Sequence, residues 1–148
     1  MDPNNIFGLF ESEPENQKKE PEKEIINLSE HPYVLMGLFT RMILKGEEAI
    51  DNTMDFFKTI SMNPEYDTEA NAEFSRMMLY GAGFNHLSKL SLEDPFHQEV
   101  LLDKAGKDFL TACEKSIQFY QEKEEYEKCA FIKKFYDFIN FSQNKLPL

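Results

Sequence analysis

The chain has no tryptophan, two cysteines, six glycines and no apolar run of about 18 residues, and each shortage removes a class of protein. Cys113 and Cys129 cannot build a disulfide framework, and a chain of 148 residues does not need one. A reducing compartment suits them. Without a long apolar run no membrane-spanning helix is expected, and no basic flank leads into an apolar segment near the N-terminus, so no secretory signal is expected either. Cations are scarce too: 16 Lys and Arg stand against 27 Asp and Glu, a net charge of -11. That balance argues against direct contact with nucleic-acid phosphates, which draws on clustered Lys and Arg. The expectation is a soluble, cytoplasmic protein with no membrane and no nucleic acid among its direct partners.

What is present is apolar and aromatic: 41% hydrophobic residues and 14 phenylalanines, enough for one packed interior. The chain opens "NNIFGLFESEPENQKKEPEKE". Residues 11–24 contain no aliphatic or aromatic residue, and such a composition cannot offset ordering entropy by burial. Residues 1–24 therefore read as a disordered acidic tail, with a Phe-rich docking segment at 1–10 and a charged linker at 11–24. Residues 25–148 read as a helical bundle domain.

The fold class expected for that domain is all-α. A first helix from near Pro32 carries Leu35, Leu38, Phe39, Met42 and Ile43 on one stripe, and Gly46 is placed to end or bend it. A second from about Glu47 is expected to bury Ile50, Met54, Phe57 and Ile60 and to stop at Asn63-Pro64. Asp67 is a candidate N-cap for a third, with Ala70, Phe74, Met77, Met78, Gly81, Phe84 and Leu87 at three-and-four spacing. Asp94-Pro95 marks the next start, and Gly106 is placed to split the helix that follows. The last helix carries Cys129, Ile132, Tyr136 and Ile139 on one face and Phe131, Phe135 and Phe138 on another. Short connections make this a single antiparallel bundle of about five helices.

Catalytic signatures are missing. His31, His86 and His97 are scattered, and Asp94 with His97 is a single carboxylate-histidine pair where a bundle metal site needs more ligands. The two cysteines read as core residues, and "GAGF" at 81–84 lies inside a helical pattern, where small residues let another helix approach. No catalytic residue, metal or cofactor is expected, and the protein is read as a non-enzyme.

Three surfaces are candidates for binding a larger protein or protein complex. The first is the tail island of Ile6, Phe7, Leu9 and Phe10, which has no core beside it. The second is an acidic face of Glu47, Glu48, Asp51, Asp55, Glu65, Asp67, Glu69 and Glu73, opposed between 47 and 73 by Lys58 alone. The third is the aromatic face of Phe131, Phe135 and Phe138 on the last helix. An adaptor or regulatory protein is the preferred reading. Alternatives are an acidic inhibitor that mimics nucleic acid in a basic groove, as small acidic phage proteins do, and an assembly protein that forms homo-oligomers through its last helix.

Two resemblances accompany these surfaces. "EEYEKCAFIKKFYDFI" resembles the second half of the UVR helical hairpin of bacterial excision-repair proteins, through Tyr126, Glu127, Cys129, Ala130, Ile132 and Lys133, with Lys134 where that pattern has Asp. The resemblance implies a protein-contact element. "IFGLF" is similar to the peptide by which polymerases and repair factors dock on the bacterial sliding clamp, through Phe7, Leu9 and Phe10, with Ile6 where that peptide has Gln. It implies docking on a larger partner.

Overall fold

The computed structural model describes residues 27–60 and 68–144. The Phe island, the charged linker, the Asn63-Pro64 stop, the Asp67 cap and the acids Glu65 and Asp67 lie outside them. Among the described residues the chain is all-α and has no strand. A single 3-10 turn, Leu28–Glu30, leads into α1 (Pro32–Ile60), α2 (Thr68–Ser88), α3 (Pro95–Lys104), α4 (Lys107–Glu122) and α5 (Tyr126–Asn144).

Five helices were expected and five are found among the described residues, but one boundary differs. α1 runs unbroken through Gly46 for 29 residues. This glycine has no positive φ; a Cβ built on it would overlap Leu79 Cδ1, so its smallness lets α2 approach rather than ending the helix. Gly106 does divide the later segment. α3 closes with the Ala105 N–H bonded to the Leu101 carbonyl, and Gly106 is the extended N-cap of α4. Asp94-Pro95 starts α3 as its sequence suggests, with the Asp94 side chain accepting from the Phe96 N–H at 2.9 Å.

α1 and α2 form an antiparallel hairpin, since Ile43 meets Gly83, Gly46 meets Leu79 and Glu47 meets Arg76 as one number rises and the other falls. α4 and α5 form another, linked by Tyr136 to Glu114 and by the Cys129 thiol to the Ile117 carbonyl. The core between them is built from Phe39, Phe109, Leu87, Leu101, Ile132, Phe135 and Ile139, all essentially inaccessible. The Phe39 and Phe109 rings meet edge-on at 5.8 Å.

Burial corrects the expected stripes in three places. On α1, Leu35, Phe39 and Ile43 are buried with Met36, whereas Leu38, Phe57 and Ile60 are exposed. On α2 the buried line is Ala72, Tyr80, Gly83 and Leu87, and Phe74, Met77 and Met78 point to solvent. Small Gly83 lies against Ile43 and Phe39 of α1, so that face is buried rather than the bulkier Phe-Met face. On α5, Phe135 is fully buried, and Phe131 and Phe138 pack against the same core. Phe131 lies edge-on to Phe84 and Phe135 at 5.5 and 5.2 Å. The aromatic face of the last helix is thus largely engaged by the core, with Phe131 and Phe138 partly buried.

Candidate functional site

Every buried residue of α1 lies at or before Ile43. Beyond Gly46, residues 47–60 pair with residues 68–79 of α2 as an arm that extends past the main core. After Ile43 the partly buried residues of α1 are Leu44, Gly46, Glu47, Ile50 and Met54, too few large apolar groups to hold a third layer.

Most of the expected acidic face maps to this arm, and the structure engages part of it internally. Glu47 accepts from Arg76 Nε at 3.2 Å and from the Tyr80 hydroxyl, and Arg76 Nη2 donates to Asp51 at 2.8 Å. Two pairs spaced by four residues, Glu47/Asp51 and Arg76/Tyr80, thus interlock across an antiparallel hairpin. Burial alone would pull the Arg76 pKa down, but the bonds and charges of Glu47 and Asp51 outweigh it and raise it above its ordinary value. Burial, then the hydrogen bond to Glu47, raises the Tyr80 phenol well above its usual range. The Tyr80 ring stacks on Phe119 at 4.2 Å, and Lys123 pairs with Glu73, tying the arm's root to α4. Glu48 pairs with Lys45 at 3.6 Å across an exposed turn, and Asp55 and Glu69 are exposed.

The arm also exposes large apolar side chains. Phe56, Ile60, Phe74, Met77 and Met78 are all more than half exposed, with Phe74 at 64% and Met78 at 62%. Sequence reasoning assigned most of these side chains to the core. It also missed Arg76 and Tyr80, for which the matched four-residue spacings were an available signal.

Among the remaining chemistry-bearing groups His97 has structural partners, whereas His86 Nδ1 is buried with no hydrogen-bond partner among the described residues. The Ser91 N–H donates to His97 Nδ1 at 3.0 Å, and His97 Nε2 faces Asp94 at 3.6 Å, so the imidazole braces the turn into α3. No group of three or more His, Cys, Asp or Glu able to hold a metal occurs among the described residues. Cys113 is fully buried, and burial pushes its thiol far above the usual value. No helix among the described residues is long and apolar enough to cross a membrane.

No protein-family model matches this chain, and neither a curated protein nor a solved structure matches it. The resemblances to the UVR hairpin and to the clamp-docking peptide thus have no family match behind them, and functional reasoning rests on the surfaces themselves.

Proposed function

We propose that this chain is a non-enzymatic adaptor or regulatory protein that binds a larger protein through the arm. The observation that carries the reading is the exposure of Phe74, Met77 and Met78 together on α2 of a projecting hairpin. Large apolar groups clustered on a surface and bordered by charge mark interaction sites in soluble proteins. The described arm holds six carboxylates against Lys58 and Arg76, so the complementary partner offers an apolar socket edged by Lys and Arg. Nucleic-acid mimicry is the weaker reading, because Glu47, Asp51 and Glu73 are already paired with Arg76 and Lys123.

The test compares wild type with Phe74→Asp/Met78→Asp. Fully burying the two side chains is worth about 1.5–3 kcal/mol each, so the double variant should bind a captured and purified partner about 100-fold or more weakly. Its helicity should be unchanged. Light scattering on both proteins separates the oligomer alternative: a dimer dissolved by the double substitution makes a second copy the occupant. A variant that retains every wild-type partner at full affinity removes the arm from the reading.

A further inference from the structure

In a chain of net charge -11, one groove is basic. It lies between the first half of α1 and the start of α4, has a volume of about 460 Å3, and has an apolar floor of partly buried Leu44 over the nearly covered Met36 and Phe109. Arg41, Lys45, Lys104 and Lys107 edge it, with Asp108 the one acid in its lining. Lys45 and Lys104 meet Glu48 and Asp103 at 3.6 and 3.5 Å, long and exposed contacts worth little. Arg41 and Lys107 have no ion pair among the described residues. The groove is also open backbone-side, since a Cβ added at Gly37 or Gly106 would meet nothing within 4 Å.

The chain carries a segment of matching chemistry. Ile6, Phe7, Leu9 and Phe10 are followed at once by Glu11, Glu13 and Glu15, with no cation before Lys18. An apolar floor with a basic edge is the complement of an apolar island with an acidic flank. Reach is sufficient. Eleven residues, 16–26, separate the acidic flank from the first described residue, and a flexible coil of that length spans about 20 Å. Helical rise puts the middle of the groove, near Arg41, about 14 Å from Pro32. Because the segment is tethered, its effective concentration at the groove is of millimolar order, and weak contacts are enough to hold it.

We infer that this groove is the intramolecular docking site of residues 6–15, with Phe7, Leu9 and Phe10 on the Met36-Leu44-Phe109 floor and Glu11, Glu13 and Glu15 on the basic edge. It shares no residue with the Phe74-Met77-Met78 patch of the arm, so its failure would leave the arm's proposed role untouched, and the reverse holds too.

Amide hydrogen exchange on the full chain tests it, comparing wild type, Arg41→Glu/Lys107→Glu and Phe7→Ala/Phe10→Ala. Arg41 and Lys107 are exposed, and amides of α4 report that the fold is intact. Amides of residues 6–13 should exchange about tenfold or more slowly in wild type, and both variants should lose that protection. Reversing the flank as well, with Glu11→Lys/Glu13→Lys/Glu15→Lys added to Arg41→Glu/Lys107→Glu, should restore it. Exchange at the random-coil rate in wild type overturns the proposal. So does protection that survives Arg41→Glu/Lys107→Glu, which places the island elsewhere, or protection that rises with protein concentration, which makes the occupied groove that of a second copy.

Discussion

Replacing Tyr80 with Phe removes one hydroxyl and leaves the stacked ring in place, so it isolates the bond that joins α2 to Glu47. Glu47 keeps Arg76 as a partner in the variant, which avoids the full penalty of an unpaired carboxylate. A hydrogen bond to a charged group of this kind contributes about 1.5 kcal/mol, at the low end of the charged range. For a domain of this size that is a fall in Tm of about 6 °C. The pH dependence makes the test specific. The folded-state pKa of Tyr80 is raised, by burial first and then by the Glu47 bond. Its contribution is therefore fully present below the unfolded-state value of about 10 and is lost as pH rises above it. At pH 11 the unfolded tyrosine has lost its proton and the folded one has not, which costs wild type about 1.4 kcal/mol that the Phe variant does not lose. The stability gap of about 1.5 kcal/mol at pH 7 should thus nearly close at pH 11, as read by urea unfolding followed by circular dichroism. Tyr120, pushed up to about 12 by burial and the Glu125 charge, titrates in both proteins and cancels. A gap below about 0.5 kcal/mol at pH 7, or one equally wide at pH 11, would refute the assignment of the hydroxyl to Glu47.

Two further perturbations test the packing. Gly81 and Gly83 are two residues apart in α2, yet they should respond with opposite sign. A Cβ at Gly81 meets nothing within 4 Å, so Gly81→Ala should raise stability by about 0.5–1 kcal/mol through helix propensity. A Cβ at Gly83 falls 2.9 Å from Ile43 Cδ1 in the core, so Gly83→Val should lower stability by about 2–3 kcal/mol; equal responses in thermal unfolding would discredit the hairpin's register. In the turn between α4 and α5, Glu124 has φ of 59°, and Glu124→Gly should stabilise by up to about 1 kcal/mol in the same assay.

The legible parts of this fold are those whose cause is local. Asp94-Pro95 starts α3 through a bond two residues long, and Gly106 breaks the chain where no side chain caps the helix after it. Gly46 has the same letter and a different role, because whether a glycine ends a helix or admits a neighbour depends on what stands opposite, here Leu79. The same holds for α2. Its sequence supports two apolar registers, and only the approach of α1 to Gly83 selects the one that leaves Phe74 and Met78 outside. The aromatic last helix was read as a face seeking a partner because its Phe residues surround it, and in the structure α2 and α4 supply that partner from within the chain. The Arg76 bridge lies across two helices: the four-residue spacings of Glu47/Asp51 and Arg76/Tyr80 are visible in the sequence, but the register that joins them is set by tertiary packing.

Charge order along α1 is the feature least explained by folding. From Pro32 to Lys45 the helix carries Arg41 and Lys45 and no acid; from Gly46 to Ile60 it carries Glu47, Glu48, Asp51 and Asp55 against Lys58. The helix dipole acts within the first and last turns, and of these residues only Lys58 lies there, so the order is not set by the helix's own stability. Nor do ion pairs along the helix require it, since Lys45 with Glu48 is the one such pair that crosses the boundary, and it is exposed. The segregation instead gives the two ends of one rigid element opposite electrostatic surfaces. Its basic half faces a groove whose complement is the acidic flank of the tail, and its acidic half borders exposed Phe and Met side chains whose complement is a basic partner. Because added salt screens exposed charges over about 10 Å at 0.1 M, both contacts should weaken together as ionic strength rises. Their apolar components should persist, and that remainder is what Phe7, Phe10, Phe74 and Met78 contribute.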